Sequence, residues 1–342
     1  MVTIVYIALH YFITYLRYFV LGFCVTIISI LFSWSHGIPT KKIYEYRSVL
    51  PISYGNEILT KYRINLTQKD HLPLTIRNIS LILPSVKLKI AVVTAIYNDP
   101  YVNGVRVLGY SLKKFRTNAD LILTYIPGRV SNATLEKCEE MGWHLMPVDR
   151  IPPPTFAIVY PRFKDQFTKL RIWSMTDYDR ILYLDGDTLV VSDINELFRL
   201  TAKNDWEGFL SVLDTWQGQI GPNFNAGVLL IKPNITLFNE MMNKIHMMPQ
   251  YGTYWAEQGF LNCTGRLPLT YNFNSVLALY HKDIYNQLNK SKKIIHYTAF
   301  KPFTIKDVNE IDSVYVDLWK EWKQMEEEMN ENVKLNNTDS AS

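Results

Sequence analysis

Asp185-Gly186-Asp187 places two carboxylates one residue apart, directly after the apolar run Ile181-Leu182-Tyr183-Leu184. Such a run reads as a buried strand. Side chains at i and i+2 of an extended chain share a face, so the two carboxylates would repel each other without a cation. Hard oxygen ligands at a strand end suit Mn2+ or Mg2+ bridging to substrate phosphates. Gly186 permits close backbone approach to a ligand. The competing reading is a turn, because Asp-Gly-Asp is also good turn chemistry.

Three more segments carry chemistry. His296, at the end of the expected strand 292–295, offers a third metal ligand through neutral imidazole. Lys301, five residues on, can neutralise a diphosphate oxygen. In Phe224-Asn225-Ala226-Gly227, Asn225 presents both a donor and an acceptor to sugar hydroxyls, and Ala226 and Gly227 leave room for one. Glu257 and Gln258 can face a sugar ring, although an acidic residue at a helix start is the simpler reading of that pair.

Taken in order, these segments resemble family 8 of the glycosyltransferases in its glycogenin-like form, over residues 89–303. The resemblance rests on VVTAIYNDPYVNGVRVLGYSL, TKLRIWSMTDYDRILYLDGDTLVV, FNAGVLLIKPN, EQGFLN, LPLTYNFNS and HYTAFKPF. It implies a GT-A fold, a single Rossmann-like nucleotide-sugar-binding domain with a mostly parallel sheet, using a uridine diphosphate sugar and Mn2+, with Mg2+ as the other candidate. By the same resemblance Asp185, Asp187 and His296 are the metal ligands and Lys301 is the diphosphate lysine. Ala95, Tyr97, Asn98 and Tyr101 occupy the uridine stretch, and Lys169 contacts the donor. Asn225 and Ala226 touch the transferred sugar, while Glu257 and Gln258 lie near its anomeric carbon. The implied reaction is hexosyl transfer with retention to a glycan, protein or other hydroxyl acceptor. The family pattern has Asp where this chain has Glu257, and its histidine-to-lysine spacing is one residue longer. No tyrosine stands in register with the family's self-glucosylated position, Tyr280 being the nearest.

Two other classes compete with this reading. One is a catalytically inactive partner subunit of a glycosyltransferase complex, which the intact Asp185, Asp187, His296 and Lys301 set argues against. The other is a sugar nucleotidyltransferase, which needs a Gly-rich basic loop after its first strand, where this chain has Tyr97-Asn98-Asp99-Pro100.

To position these groups the chain must alternate strands and helices. Residues 89–97, 121–126, 143–148, 209–213 and 228–231 read as strands, and 103–116 and 134–141 as helices. Residues 163–176 read as a helix leading into 180–191, the strongest strand pattern. Alternation of this kind predicts a doubly wound α/β sheet with its ligand at the strand carboxyl ends. No GxGxxG follows the first strand, which disfavours a dinucleotide site. Leu318, Trp319, Trp322, Met325 and Met329 share a helical face, and the polar sequence from Asn330 onward reads as disordered.

Composition bounds the remaining classes. With 48% hydrophobic and 13% aromatic residues in 342, the chain can bury a substantial core, and a net charge of +4 without a basic run argues against nucleic acid as partner. Cys138 and Cys263 allow one bridge or two separate buried thiols, and Cys24 lies in the apolar N-terminus. Residues 18–34 lack any charge and meet the roughly 20-residue length of a spanning helix. Residues 1–36 are therefore expected to form a signal-anchor, 37–87 a stem, 88–312 the catalytic domain, and 313–342 an amphipathic helix with a disordered tail. Sequons at Asn65, Asn78, Asn132, Asn234, Asn262, Asn289 and Asn336 favour a luminal catalytic part in a Golgi or other secretory-pathway membrane, single-pass type II. Charge flanking the apolar segment gives that orientation no support. A homodimer is the assembly to test.

Overall fold

A computed structural model describes residues 79–81, 88–202, 209–215, 223–246, 256–261 and 265–339, all within the compact unit Leu72–Ser342. The expected anchor, most of the stem, Asn262 and Cys263 lie outside the described residues. Among the described residues no helix is long and apolar enough to cross a membrane.

Twelve strands are described: β1 (Ile79–Leu81), β2 (Ile90–Ile96), β3 (Asp120–Tyr125), β4 (His144–Pro147), β5 (Arg180–Leu184), β6 (Thr188–Val190), β7 (Leu200–Ala202), β8 (Phe209–Leu213), β9 (Phe224–Ile231), β10 (Gly265–Leu267), β11 (Phe273–Asn274) and β12 (Ile294–His296). The α-helices are α1 (Val102–Lys114), α2 (Asn132–Glu139), α3 (Ile235–Lys244), α4 (Glu257–Phe260), α5 (Leu277–Tyr280), α6 (Lys282–Leu288) and α7 (Val316–Asp339). A seven-stranded sheet runs β10-β8-β9-β5-β2-β3-β4. Its pairs are parallel except where β9 joins β5 and β8. Small sheets β11-β12-β6 and β1-β7 complete the described pairing, so Ile79–Leu81 of the expected stem is hydrogen-bonded to Leu200–Ala202.

The central strands are apolar on both faces because both faces are covered. Val92, Leu182 and Leu230 point into one core with Leu108, Leu112 and Trp143, while Ala91, Val93, Ile181 and Leu229 point into the other with Phe167, Leu170 and Trp173. Alternate residues of one strand thus serve opposite cores, as the pleat requires.

Four expectations need correction. The strand pattern 180–191 is interrupted: β5 ends at Leu184, and a turn closed by the Thr188 amide donating to the Asp185 carbonyl (3.0 Å) separates it from β6. Asp185-Gly186-Asp187 is therefore a turn at a strand end, so the two readings of it describe one feature. Residues 166–174 form a 3-10 helix rather than an α-helix, preceded by the 3-10 turn Pro161–Phe163. Strand β9 starts at Phe224, so Asn225 and Ala226 belong to the sheet and not to a loop before it. Finally, α7 continues to Asp339, well past Asn330. Its stripe of Leu318, Trp322, Met325 and Met329 is buried, and packing of that stripe sustains the helix where composition alone would not. Cys138 is a buried free thiol, pushed up to about 12 by burial.

Candidate active site

The parallel pairing of β2 with β5, with Val93 opposite Tyr183, brings the carboxyl ends of both strands to one edge. Beyond β2 lie Tyr97, Asn98 and the 3-10 turn Asp99–Tyr101, and beyond β5 lies the Asp185–Asp187 turn. Antiparallel pairing of β12 with β6, Thr188 opposite His296, then delivers the imidazole to the same place. One ligand atom each from Asp185, Asp187 and His296 lies within 4.8 Å of the other two. His296 Nε2 is 3.3 Å from Asp187 Oδ1 and 3.9 Å from Asp185 Oδ2. Two carboxylates and one imidazole match the donor chemistry of a divalent cation such as Mn2+, and these three residues could hold one.

Each carboxylate has its own supporting cation. Lys301 Nζ bonds Asp187 Oδ2 and the Tyr297 carbonyl oxygen, the latter at 2.7 Å. Burial opposes ionisation of Asp187, but Lys301 and then His296 more than offset it and hold the carboxyl well below the usual carboxylate range. Lys169 is buried and reaches Glu257 Oε1 at 2.7 Å, the Ala226 carbonyl at 3.1 Å and Asp185 Oδ1 at 3.2 Å. Burial pulls the Lys169 pKa down, but Asp185 and Glu257 more than offset it and hold it above the ordinary lysine value. Burial pushes the Glu257 carboxyl up, with Lys169 opposing. The Tyr183 hydroxyl also donates to Asp185 Oδ1, at 2.7 Å.

Glu257 and Gln258 begin α4, directly after Ala256, whose φ of 51° is strained for a residue with a Cβ. Gln258 Oε1 accepts the Ala226 amide at 3.0 Å, and its Nε2 faces Asp214 Oδ2 at 3.4 Å. Lys169, Ala226, Glu257 and Gln258 are thus one hydrogen-bonded group, while the Asn225 side chain accepts from the Gly227 amide and from Asn272. The space at Gly227 is filled: a Cβ there would lie 2.1 Å from His296 Cε1. That glycine makes way for the imidazole that faces Asp185 and Asp187, where the sequence suggested room for a sugar. Gly186 in turn faces Val105 and Tyr101.

The stretch beyond β2 is the less closely knit part. Tyr97 has a buried hydroxyl with no hydrogen-bond partner among the described residues, and burial, with the charges of Glu257 and Asp185, pushes its phenol well above the ordinary value. Tyr101 packs on Phe303 at 5.2 Å between ring centroids, and the Ala95 carbonyl lies 3.7 Å from where a Cβ on Gly186 would sit. Asn98 is exposed.

Sequence reasoning passed over two residues here. Gly104 on α1 lets the helix touch the aspartate turn, since a Cβ there would be 2.4 Å from the Gly186 carbonyl oxygen. Asn272 is almost fully buried and hydrogen-bonds the His296 ring. Its signal was a run of polar residues, Asn272, Asn274 and Ser275, inside otherwise apolar sequence.

Comparison with known proteins agrees with this geometry. The profile described as Glycosyl transferase family 8 matches residues 10–304. Inositol phosphorylceramide glucuronosyltransferase 1 of Arabidopsis thaliana is 34% identical over 175 residues, covering 51% of this chain and 30% of that protein. Glycogenin-1 of Mus musculus is 29% identical over 225 residues, covering 60% of this chain and 63% of the relative. Less than two thirds of either relative's length is therefore matched. Among solved structures, the apo-form glycosyltransferase GlyE of Streptococcus pneumoniae TIGR4 superposes with a TM-score of 0.50 at 19% identity, covering 72% of this chain and 64% of that one. At that identity the likeness concerns the fold, which is GT-A-like.

Proposed function

This chain belongs to glycosyl transferase family 8, and from that premise we propose that it transfers a hexosyl unit, with retention, from a uridine diphosphate sugar to a hydroxyl acceptor. The observation that carries the reading is the convergence of Asp185, Asp187 and His296 within 4.8 Å. These three would hold Mn2+ or Mg2+. A cation bound there supplies Lewis-acid charge for the departing diphosphate.

The chain's own groups divide the remaining work. Lys301, on the same edge, is placed to add positive charge toward the diphosphate. Tyr97, Asn98 and Tyr101 offer a wall for the uridine beyond β2. Asn225, Ala226 and Gln258 line the position for the transferred sugar, on the β9 side of the metal ligands. Glu257 is only 3% exposed and its Oε1 is engaged by Lys169. A carboxylate so held favours front-face attack, in which the leaving phosphate accepts the acceptor's proton and Glu257 contributes charge. Glu257→Gln removes that charge and should lower turnover only in part, whereas an obligate carboxylate nucleophile would show its complete loss.

Residues 18–34, as a retained type II anchor, would place the catalytic part in the lumen of the secretory pathway, a reading supported by their length and the downstream sequons. Protease protection of intact microsomes tests that orientation. For the activity, the test is a panel of uridine and guanosine diphosphate sugars, with release of the free nucleotide followed with Mn2+, with Mg2+ and after chelation. Metal-dependent release from a uridine diphosphate sugar supports the proposal; no release or transfer from any donor with either ion overturns it.

A further inference from the structure

Resting on the metal-site reading, we infer that Asn272, held by Asn225 and the Gly227 amide, fixes the His296 tautomer that leaves Nε2 unprotonated toward Asp185 and Asp187. One group in this chain of contacts can only donate. The Gly227 backbone N–H donates to the Asn225 side-chain amide at 3.0 Å, so the Asn225 atom facing it is oxygen. That same Oδ1 is 2.9 Å from the Asn272 side chain. An oxygen there must face a donor, so Asn272 presents Nδ2 to Asn225 and turns Oδ1 toward the histidine. His296 Nδ1 lies 3.0 Å from this Oδ1. An amide oxygen only accepts, so the imidazole proton belongs on Nδ1. Which amide atom is which normally follows from optimising the network; here a backbone N–H fixes every later choice.

The competing neutral tautomer carries its proton on Nε2, where Asp187 Oδ1 at 3.3 Å would accept it. It would leave the Nδ1 lone pair against the lone pairs of Asn272 Oδ1, in a place where Asn272 and His296 are each 3% exposed or less. Unmatched acceptors are costly when buried. Rotating the Asn272 amide only moves the conflict to Asn225 Oδ1. Sterics act in the same direction. The ring rests on Gly227, and Ser275 N–H donates to the His296 carbonyl at 2.9 Å, so the imidazole is held at both backbone and edge. Asn272 is thus a positioning residue, acting on the aspartate-facing nitrogen through the His296 ring.

The metal-free protein, labelled with 15N and held above the imidazole titration, reads the tautomer directly through two-bond nitrogen–proton correlations. Nδ1 should show the protonated signature and Nε2 the lone-pair signature. In Asn272→Ala the proton should redistribute to Nε2. The dissociation constant for Mn2+ alone, from the electron paramagnetic signal of the free ion, should rise roughly 10–100-fold, the usual cost of losing a partner behind a metal-ligating histidine. A protonated Nε2 in the wild type overturns the inference, as does an alanine variant with unchanged tautomer and affinity. Should Asn272→Ala not fold, the Asn225 pair serves. Asn225→Asp keeps the accepting oxygen and should keep the wild-type tautomer, whereas Asn225→Ala frees Asn272 to rotate and should lose it; equal behaviour of the two overturns the relay. A wild type with protonated Nδ1 but no Mn2+ binding would support the relay and sink the metal-site reading, so the two fail separately.

Discussion

At the scale of single residues, the site is an arrangement of compensated charges. Lys169 has a side chain 1% exposed, between Asp185 and Glu257, whose side chain is 4% exposed. Breaking a buried pair by removing one partner costs about 3–5 kcal/mol, because the remaining charge is left uncompensated. Lys169→Met should lower unfolding stability by about that amount in urea titrations, and more than Glu257→Gln, which leaves Lys169 paired with Asp185. Equal losses would mean that the lysine is not the keystone of the cluster. Asp187→Ala should behave in the opposite sense. It should abolish metal-dependent donor turnover while circular dichroism stays native; full activity would refute the metal assignment. The aspartates stood out in sequence as charges directly after an apolar run, while His296 and Lys301 were picked out with them only by the family resemblance. The Lys169–Glu257 contact was not, since 88 residues separate its partners. Asn272 was hidden for a related reason: an asparagine declares itself only through the atoms it faces.

At the scale of elements, glycine and turn chemistry decide whether those residues meet. Strand runs such as 90–96 and 180–184 were legible from apolar, β-branched composition, whereas the break between β5 and β6 showed only as the competing turn reading of Asp185-Gly186-Asp187, because Thr188–Val190 continues the apolar pattern. That break aims the aspartates at β12. Gly104 sits inside α1, where replacing glycine by alanine would ordinarily stabilise a helix by about 1 kcal/mol. Here the added Cβ would meet the Gly186 carbonyl oxygen at 2.4 Å and the Phe303 ring at 2.8 Å. A backbone carbonyl in the aspartate turn cannot swing aside as a side chain can, so the sign reverses. Gly104→Ala should destabilise by about 1–3 kcal/mol, the range for overpacking, and weaken Mn2+ binding. A rise in the urea midpoint would show that α1 and the turn move apart freely. Gly227→Ala should be the more selective lesion, evicting the His296 ring and reducing Mn2+ affinity with the sheet retained.

For the whole molecule, α7 links residues 316–339 to the edge that carries Asp185, Asp187 and His296. Its buried stripe joins the core that also contains Tyr297, and the Tyr297 hydroxyl donates to the Leu318 carbonyl at 3.0 Å. Tyr297 follows His296 directly, and its amide donates to the Asp187 carbonyl at 3.0 Å. Two rings of the same segment extend the contact, Phe303 against Trp322 of the helix at 6.2 Å and Phe300 against Tyr315, which directly precedes the helix, at 5.1 Å. A helix placed this way braces the histidine-bearing segment. Composition pointed to the amphipathic stripe but ended the helix too early, because polar residues on its outer face carry no sign of the packing beneath. Trp322 is 1% exposed, so Trp322→Ala should cost about 3–5 kcal/mol, the usual penalty for truncating a large buried aromatic ring. If α7 braces the site, Mn2+ affinity should fall in the same variant, measured well below its unfolding transition so that every molecule counted is folded. A variant destabilised to this extent with wild-type Mn2+ affinity would make α7 a cover for the core and nothing more. A second comparison separates the two effects: Met329→Ala removes buried packing from the same stripe, two turns beyond Trp322, and should lower stability while leaving Mn2+ affinity nearly unchanged.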